Sequence, residues 1–515
     1  MTFVHHFLEG HAASAPQRTA VISGGRRYTY GETAQAAARV AQALQAHGVR
    51  RGDRVAILLD NGFEAVAAIF GILRLGGVFM VINPQTKKDK LGYVLENSGA
   101  AALISAQNLQ HNWQGALNET PVCQTLLVAG ADRDGMLDGR SLLSLNRILE
   151  TGAVTLLAPG TIDYDLASLI YTSGSTGKPK GVMLTHVNMY TAANAIASYL
   201  ELRAEDRIMC ALPLAFDYGL YQVLLAFKVG ATVILEKSFA FPVRILELMV
   251  RERATVLPGI PTIFSMLLGL ESLGEFDLTA LRLITNTAMA LPVNQISDLR
   301  RIFPQVRLYS MYGLTECKRV SYLPPEQLDI RPTSVGRGMP NEEIWLVDEQ
   351  GQRLPHGSTG ELVIRGSHVM RGYWRDPVTT AEKLKPGPLP GEVILYSGDI
   401  FRSDDEGYLY FQGRHDDLIK SRGQRVSPRE IEDVLYKLAP ILEAAVIGVA
   451  DPLLGQAIRA FVALRPGQQC TARQILAHCR EYLEDHMVPK EVTILESLPK
   501  TDSGKIRKTG LAQMQ

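Results

Sequence analysis

At 515 residues the chain is too long for one ordinary core and is expected to divide into two or three domains. Apolar residues make up 46% and charged residues 21%, and 53 basic side chains balance 53 acidic ones, so no global field recommends nucleic acid or an anionic membrane as a partner. The five cysteines (Cys123, Cys210, Cys317, Cys470 and Cys479) form no close CxxC pair, which argues against both a zinc site and a disulfide framework.

The N-terminal "MTFVHHFLEGHAA" lacks the basic start and long apolar run of a signal peptide. The longest apolar stretch, "AVAAIFGILRLGG", is short for a membrane span and reads as a buried helix, so a cytoplasmic location is expected. In chain order, "RVAILL", the helical "GFEAVAAIFGILRLGG", "FMVINP" and "AALISA" come first, followed by "ATVILE", "ATVLPGI", "LRLIT" and "VRLYSMYG". Such alternation of β-rich runs with helical patterns predicts an α/β fold with parallel sheets covered by helices. Beyond Ile330 the strands shorten and alternate ("ELVIRG", "GYLYFQGR"), which predicts a small β-rich subdomain. The polar run "GRHDDLIKSRGQRVSP" precedes a last unit: helix "PREIEDVLYKLAP", strands "EAAVIGVA" and "IRAFVAL", helix "TARQILAHCREYL" and strand "EVTILESLP". That unit reads as an α+β domain of its own.

The stretch "LIYTSGSTGKPKGVML" at 169–184 runs from an apolar strand into a loop of small, hydroxylic and glycine residues. Gly174 and Gly177 permit backbone conformations that turn consecutive N–H groups towards one anion. Thr172, Ser173, Ser175 and Thr176 add hydroxyl donors, and Lys178 and Lys180 add charge. The pattern G-x-x-x-x-G-K-[ST] is not met, because Pro179 follows Lys178 and the glycine spacing differs. The loop therefore reads as a different kind of phosphate grip.

With this loop in view, the chain resembles the adenylate-forming superfamily of acyl- and aryl-CoA ligases, luciferases and nonribosomal-peptide adenylation domains. Five further stretches carry the resemblance in order: "YGLTE" at 312–316, "GELVIRG" at 360–366, "YSGD" at 396–399, "GRHDDLIKSRGQRVSPREIE" at 413–432 and "PKTDSGKIRK" at 499–508. It implies a large N-terminal domain over 1–413, a hinge at 414–418 and a small mobile C-terminal domain over 419–515. It also implies ATP and Mg²⁺ as co-substrate and cofactor. By the resemblance Glu316 holds Mg²⁺, a task suited to a carboxylate beside phosphates. Met311, Tyr312, Gly313 and Thr315 belong to the nucleotide site, with Tyr312 stacked on adenine and Thr315 bonded to the α-phosphate. Asn286, or the backbone near it, reads the base edge. Asp399 accepts the ribose hydroxyls and Arg414 reaches the same sugar. Thr176, Glu316 and Lys505 form the catalytic set, Lys505 meeting the negative charge that develops between the carboxylate and the α-phosphate. Asp416 is the expected hinge residue, and Gly423 leaves room for a pantetheine arm in the thiol tunnel.

The acid itself is read from "LPLAFDYGLYQ" at 212–222. A buried carboxylate needs a cation, and by resemblance to amino-acid-activating domains Asp217 takes the substrate's ammonium. The alternative is a structural aspartate capping a helix that starts at Tyr218. Tyr218, Tyr221, Met311, Arg319 and Val320 would line the pocket. Arg319 either recognises an acidic side chain or ties down the loop after Glu316. The chain as a whole looks like the free-standing ligases that load proline onto a carrier protein, so a small amino acid, L-proline first, is the leading expectation. The alternative is an acyl- or aryl-CoA ligase. No GGxS phosphopantetheine segment follows Lys505, so the thiol is expected in trans, on a phosphopantetheinylated carrier protein or as coenzyme A.

Overall fold

The structure is a computed structural model that describes residues 3–118, 120–151, 160–173, 178–414, 419–421, 424–451, 455–501 and 504–514. The expected alternation of strands and helices builds two large, mainly parallel sheets. In the nine-stranded sheet the strands run Arg337–Gly338, Ser321–Leu323, Arg307–Tyr312, Leu283–Asn286, Val256–Gly259, Arg207–Cys210, Thr232–Leu235, Thr19–Ser23 and Arg26–Thr29. From Arg307–Tyr312 to Thr19–Ser23 every pairing is parallel, and only the two margins are antiparallel. The eight-stranded sheet has the same plan, with Val78–Val81, Arg54–Ile57, Ala100–Ala106 and Thr125–Ala129 at its centre.

Helices Tyr30–Ala46, Phe63–Leu75 and Asp217–Val229 contribute to one continuous core that joins these sheets. Phe63–Leu75 is apolar nearly all round, as a helix covered on every side must be. Thr29 starts Tyr30–Ala46 with a capping box, its hydroxyl accepting from Glu32 N–H while the Glu32 carboxylate accepts from Thr29 N–H. The two helices touch backbone to side chain at Gly71, where a Cβ would stand 2.7 Å from the Ala37 carbonyl oxygen.

The β-rich subdomain is an antiparallel sheet of Glu343–Val347, Thr359–Arg365, Leu384–Pro386, Val393–Ser403 and Leu409–Arg414. The C-terminal unit has its own sheet, centred on Ile441–Asp451 and Gly455–Leu464, with helices Pro428–Leu435 and Ala472–Tyr482. Ile431, Leu435, Val446, Ile458, Val462 and Ile475 form its separate core, consistent with a small domain that carries Lys505. None of the helices among the described residues is long and apolar enough to cross a membrane.

Strands Leu283–Asn286 and Arg307–Tyr312 end at Asn286 and Tyr312, so candidate residues gather at the carboxyl ends of parallel strands, where open α/β sheets place their ligands. The helix after strand Arg207–Cys210 begins at Asp217 rather than Tyr218, with Phe216 as its N-cap and no side-chain cap bond. Its first turn presses on the preceding segment at Gly219, where a Cβ would lie 2.3 Å from the Pro213 carbonyl oxygen. Gly219→Ala is therefore expected to destabilise by about 1–3 kcal/mol, as overpacking does, and to displace Asp217 and Tyr218. A lowered melting temperature together with impaired substrate binding is the expected result, and an unchanged melting curve would refute it.

Candidate active site

The residues expected to bind the nucleotide gather where the large parallel sheet meets the β-rich subdomain. The Tyr312 hydroxyl donates to Asp399 Oδ2 at 2.6 Å, and Phe401 packs edge-on against the Tyr312 ring. Asp399 is buried and pairs in register with Arg414, whose Nε lies 3.4 Å from Asp399 Oδ1. Burial pushes the Asp399 carboxyl above its ordinary range, against the opposing pull of Arg414 and Tyr312. Asn286 donates through Nδ2 to the Met289 carbonyl at 2.9 Å, and its buried Oδ1 has no hydrogen-bond partner among the described residues.

Glu316 sits in the short turn Thr315–Cys317 and accepts from the Tyr373 hydroxyl at 2.7 Å through Oε1. The Met370 N–H fixes the Glu316 carbonyl at 2.7 Å. Lys180 donates to Thr379 Oγ1 at 3.1 Å and stands 5.8 Å from the Tyr373 ring centroid. Thr172 faces Lys180 across the antiparallel pair that brackets the phosphate-grip loop, and Ser173 ends the first strand of that pair. Gly174, Ser175, Thr176 and Gly177 lie outside the described residues, as do Asp416 and Gly423. The Glu316 carboxylate, held by Tyr373, fits Mg²⁺, which takes one or two protein carboxylates and completes its shell with phosphate and water.

The acid side holds a buried ion pair that sequence reasoning missed. Lys318 Nζ lies 3.1 Å from Asp217 Oδ2, and the Thr315 hydroxyl approaches the same oxygen at 3.5 Å. The carboxylate expected to await a substrate ammonium already has a cation from its own chain, and neither does it cap its helix. Burial alone would push the Asp217 carboxyl up, but Lys318, then Lys505 and Arg319, hold it below its ordinary range. Burial pushes the Lys318 amine down to about 7, against the pull of Asp217. Lys318 also stands 5.4 Å from the ring centroids of both Tyr218 and Tyr221.

Tyr218, Tyr221, Met311 and Val320 are buried around this pair. The Tyr218 hydroxyl donates to the Thr285 carbonyl at 2.8 Å, and the Tyr199 hydroxyl to Met311 Sδ at 3.0 Å. Arg319 is 1% exposed and lies 5.0 Å from the Tyr218 ring centroid. Gly313 makes room for its stem, since a Cβ there would come within 2.9 Å of Arg319 Cγ. No hydrogen bond or ion pair ties Arg319 to the loop after Glu316 among the described residues, which removes the loop-tying reading.

Lys505 enters this crevice from the C-terminal domain. Its Nζ lies 5.5 Å from the Phe216 ring centroid, and its field is shaped by Asp217, Arg414, Asp399 and Glu316. The turn that presents it is closed by the Thr501 N–H donating to the Lys505 carbonyl at 2.7 Å. Gly504 adopts φ +79°, and a Cβ there would stand 2.7 Å from Ile260 Cδ1 of the large domain. Only glycine suits both the turn and the close approach.

Lys318, Tyr373 and Phe216 are the neighbours that sequence reading did not find. A lysine two residues after Glu316 was the available signal for Lys318. Tyr373 carried none.

A parallel-sheet domain whose strand ends meet a lysine from a small C-terminal domain is the two-domain arrangement expected of the adenylate-forming enzymes. The pattern of the AMP-binding enzymes matches residues 8–374, and that of the AMP-binding enzyme C-terminal domain matches residues 430–505. The chain belongs to the AMP-binding enzymes. A long-chain-fatty-acid–CoA ligase of Yersinia pestis is 31% identical, over 97% of this chain and 92% of its own length. A feruloyl-CoA synthase of an Amycolatopsis species is 32% identical, over 96% of each chain. The crystal structure of the anthranilate CoA ligase AuaEII in complex with anthranoyl-AMP superposes with a TM-score of 0.91 at 29% identity, covering 99% of this chain and 96% of that one.

The Asp217–Lys318 pair makes its own prediction. Lys318→Met leaves a buried carboxylate without its cation and should cost about 3–5 kcal/mol, whereas Asp217→Asn combined with Lys318→Met should recover much of the loss. Denaturant titration of the two single variants and the double variant measures the coupling. Additive losses would show that the pair is not coupled.

Proposed function

We propose that the chain is an AMP-forming ligase that activates a carboxylic acid with ATP and transfers the acyl group to coenzyme A. A carboxylate oxygen attacks the α-phosphorus, the bond to pyrophosphate breaks, and acyl-AMP forms. The coenzyme A sulfur then attacks the acyl carbon, and AMP leaves with the electron pair of the cleaved C–O bond. The single observation that carries the reading is Lys505, set by a turn of the small domain among Asp217 on the acid side and Asp399 and Glu316 on the nucleotide side. A cation there meets the charge that accumulates when two anions are brought together.

In this reading Asp399 and Arg414 take the ribose, Tyr312 stacks on adenine, and the orphaned Asn286 Oδ1 accepts from the base edge. Thr315 bonds the α-phosphate. Lys180 and the loop at 172–177 hold the outer phosphates, with Thr176 in the catalytic set. Glu316 would hold Mg²⁺, which when bound neutralises phosphate charge. The small domain turns about Asp416 between the half-reactions, and Gly423 belongs to the thiol tunnel. The domain limits 1–413, 414–418 and 419–515 belong to the same proposal.

Coenzyme A and a non-amino acid are favoured over proline and a carrier protein on two grounds. The amino-acid reading needed Asp217 to lack a cation, and Lys318 supplies one. A substrate ammonium would also enter beside Lys318, Arg319 and Lys505, all of like charge. The relatives named above are CoA ligases of fatty and aryl acids, which supports the same choice.

ATP–pyrophosphate exchange measured across amino acids, fatty acids and aryl acids, followed by thioester formation with coenzyme A, tests the proposal. Exchange with an acid lacking an α-amino group, and consumption of coenzyme A, are expected. Exchange confined to amino acids would overturn it.

The pH profile gives a second check. Burial lowers the Lys505 amine below the ordinary 10.5, against the opposing pull of Asp217. The lysine therefore loses its proton, and the site its cation, as pH rises through that lowered value. Exchange should fall along an alkaline limb below pH 10.5. Lys505→Arg, slower but permanently charged, should lack that limb. A limb retained in the arginine variant would move the titration to another group.

A further inference from the structure

The geometry points to an acid substrate with a second carboxylate, which the Arg319 guanidinium reads inside the acid pocket; the inference rests on the ligase reading above and names its substrate class. Arg319 is among the largest fully buried side chains of the protein, and its Nε and Nη1 have no hydrogen-bond partner among the described residues. A guanidinium cannot shed its charge, so burial without an acceptor is a cost that the fold alone does not offset. The Tyr218 ring at 5.0 Å contributes a cation–π contact, which is not a hydrogen-bond acceptor oxygen for the guanidinium.

The surrounding groups are already committed. Asp217 is bonded to Lys318, the Tyr218 hydroxyl to the Thr285 carbonyl, and the Tyr199 hydroxyl to Met311 Sδ. Among the described residues, Asp217 has Lys318, Arg319 and Lys505 around it, and Lys505 also faces Asp399 and Glu316, so Arg319 is the cation of this group left without a bonded acceptor. The reacting carboxylate and the α-phosphate belong to Lys505. Arg319 is then left with open donors in a planar fork, the geometry that a carboxylate fills with two parallel hydrogen bonds. A neutral-ended acid would leave that fork unpaired and would bury apolar surface against a charge. A diacid pairs it.

The test uses the full chain and pairs of acids of equal length: straight-chain diacids from malonate to adipate, and phthalate, each beside the matching monoacid. In ATP–pyrophosphate exchange the wild type is expected to favour the diacid of at least one pair by about 10,000-fold in kcat/KM, as sites built around a hydrogen-bonded group do. Arg319→Met should bring that ratio close to one. Arg319→Lys keeps the charge and loses the fork, so it should reduce the preference about tenfold, and it serves in place of Arg319→Met should the latter not fold. Calorimetric titration of the same acids without turnover separates the two levels of the reading. Arg319-dependent diacid binding without exchange would sustain the inference and sink the ligase proposal. Exchange with monoacids alone would do the reverse. Failure of every diacid to bind, or an equal loss for both members of a pair on replacing Arg319, would overturn the inference.

Discussion

The ion pair between Asp217 and Lys318 is the constraint around which the acid side of the crevice is arranged. Its members lie at 3.1 Å, both nearly out of contact with water, one at the first position of a helix and the other just beyond the turn that carries Glu316. Taking two charges out of water costs several kcal/mol each, and their attraction returns that cost only if the geometry is held. The fold holds it from both sides. Gly219 lets the helix press against Pro213, and Gly313 lets the Arg319 stem fold over the strand end. With the pair in place the helix start and the strand end cannot separate without exposing or orphaning a charge.

Beside this pair stand two further cations, Arg319 and Lys505, of which Lys505 also faces Asp399 and Glu316. Water is scarce there, so each charge acts at a lower effective dielectric than on the surface. In the proposed reaction that helps a carboxylate meet a phosphate, and it disfavours a cationic substrate. Arg319 Nε and Nη1, Asn286 Oδ1 and Asp399 Oδ1 have no hydrogen-bond partner among the described residues. Local unfavourable terms of this kind tend to gather where ligands bind.

Distribution of the work between domains follows from packing. The large domain shares one continuous core between its two main sheets, which gives Asn286, Tyr312 and Glu316 fixed positions. The small domain has a separate core and brings Lys505 to the crevice on a turn held close by Gly504 against Ile260.

Local pattern alone determined a good deal. Strand and helix order, the β-rich subdomain, the separate C-terminal unit and the glycine- and hydroxyl-rich loop are written in periodicity and composition, which act over a few residues. The grouping of Tyr312, Glu316, Asp399 and Lys505 was legible because each sits in a short characteristic stretch. Only the tertiary structure decided who meets whom inside the pocket. Asp217 and Lys318 are a hundred residues apart, joined by the packing of a helix start against a strand end, and no local signal in either stretch names the other. The need of Asp217 for a cation could be deduced from its burial; that the cation belongs to the chain could not. Arg319 likewise reads as a loop tether until the fold shows its guanidinium buried with its donors open. Charge balance in a buried site is a sum over long-range neighbours, and the sequence supplies the terms without saying which of them are added together.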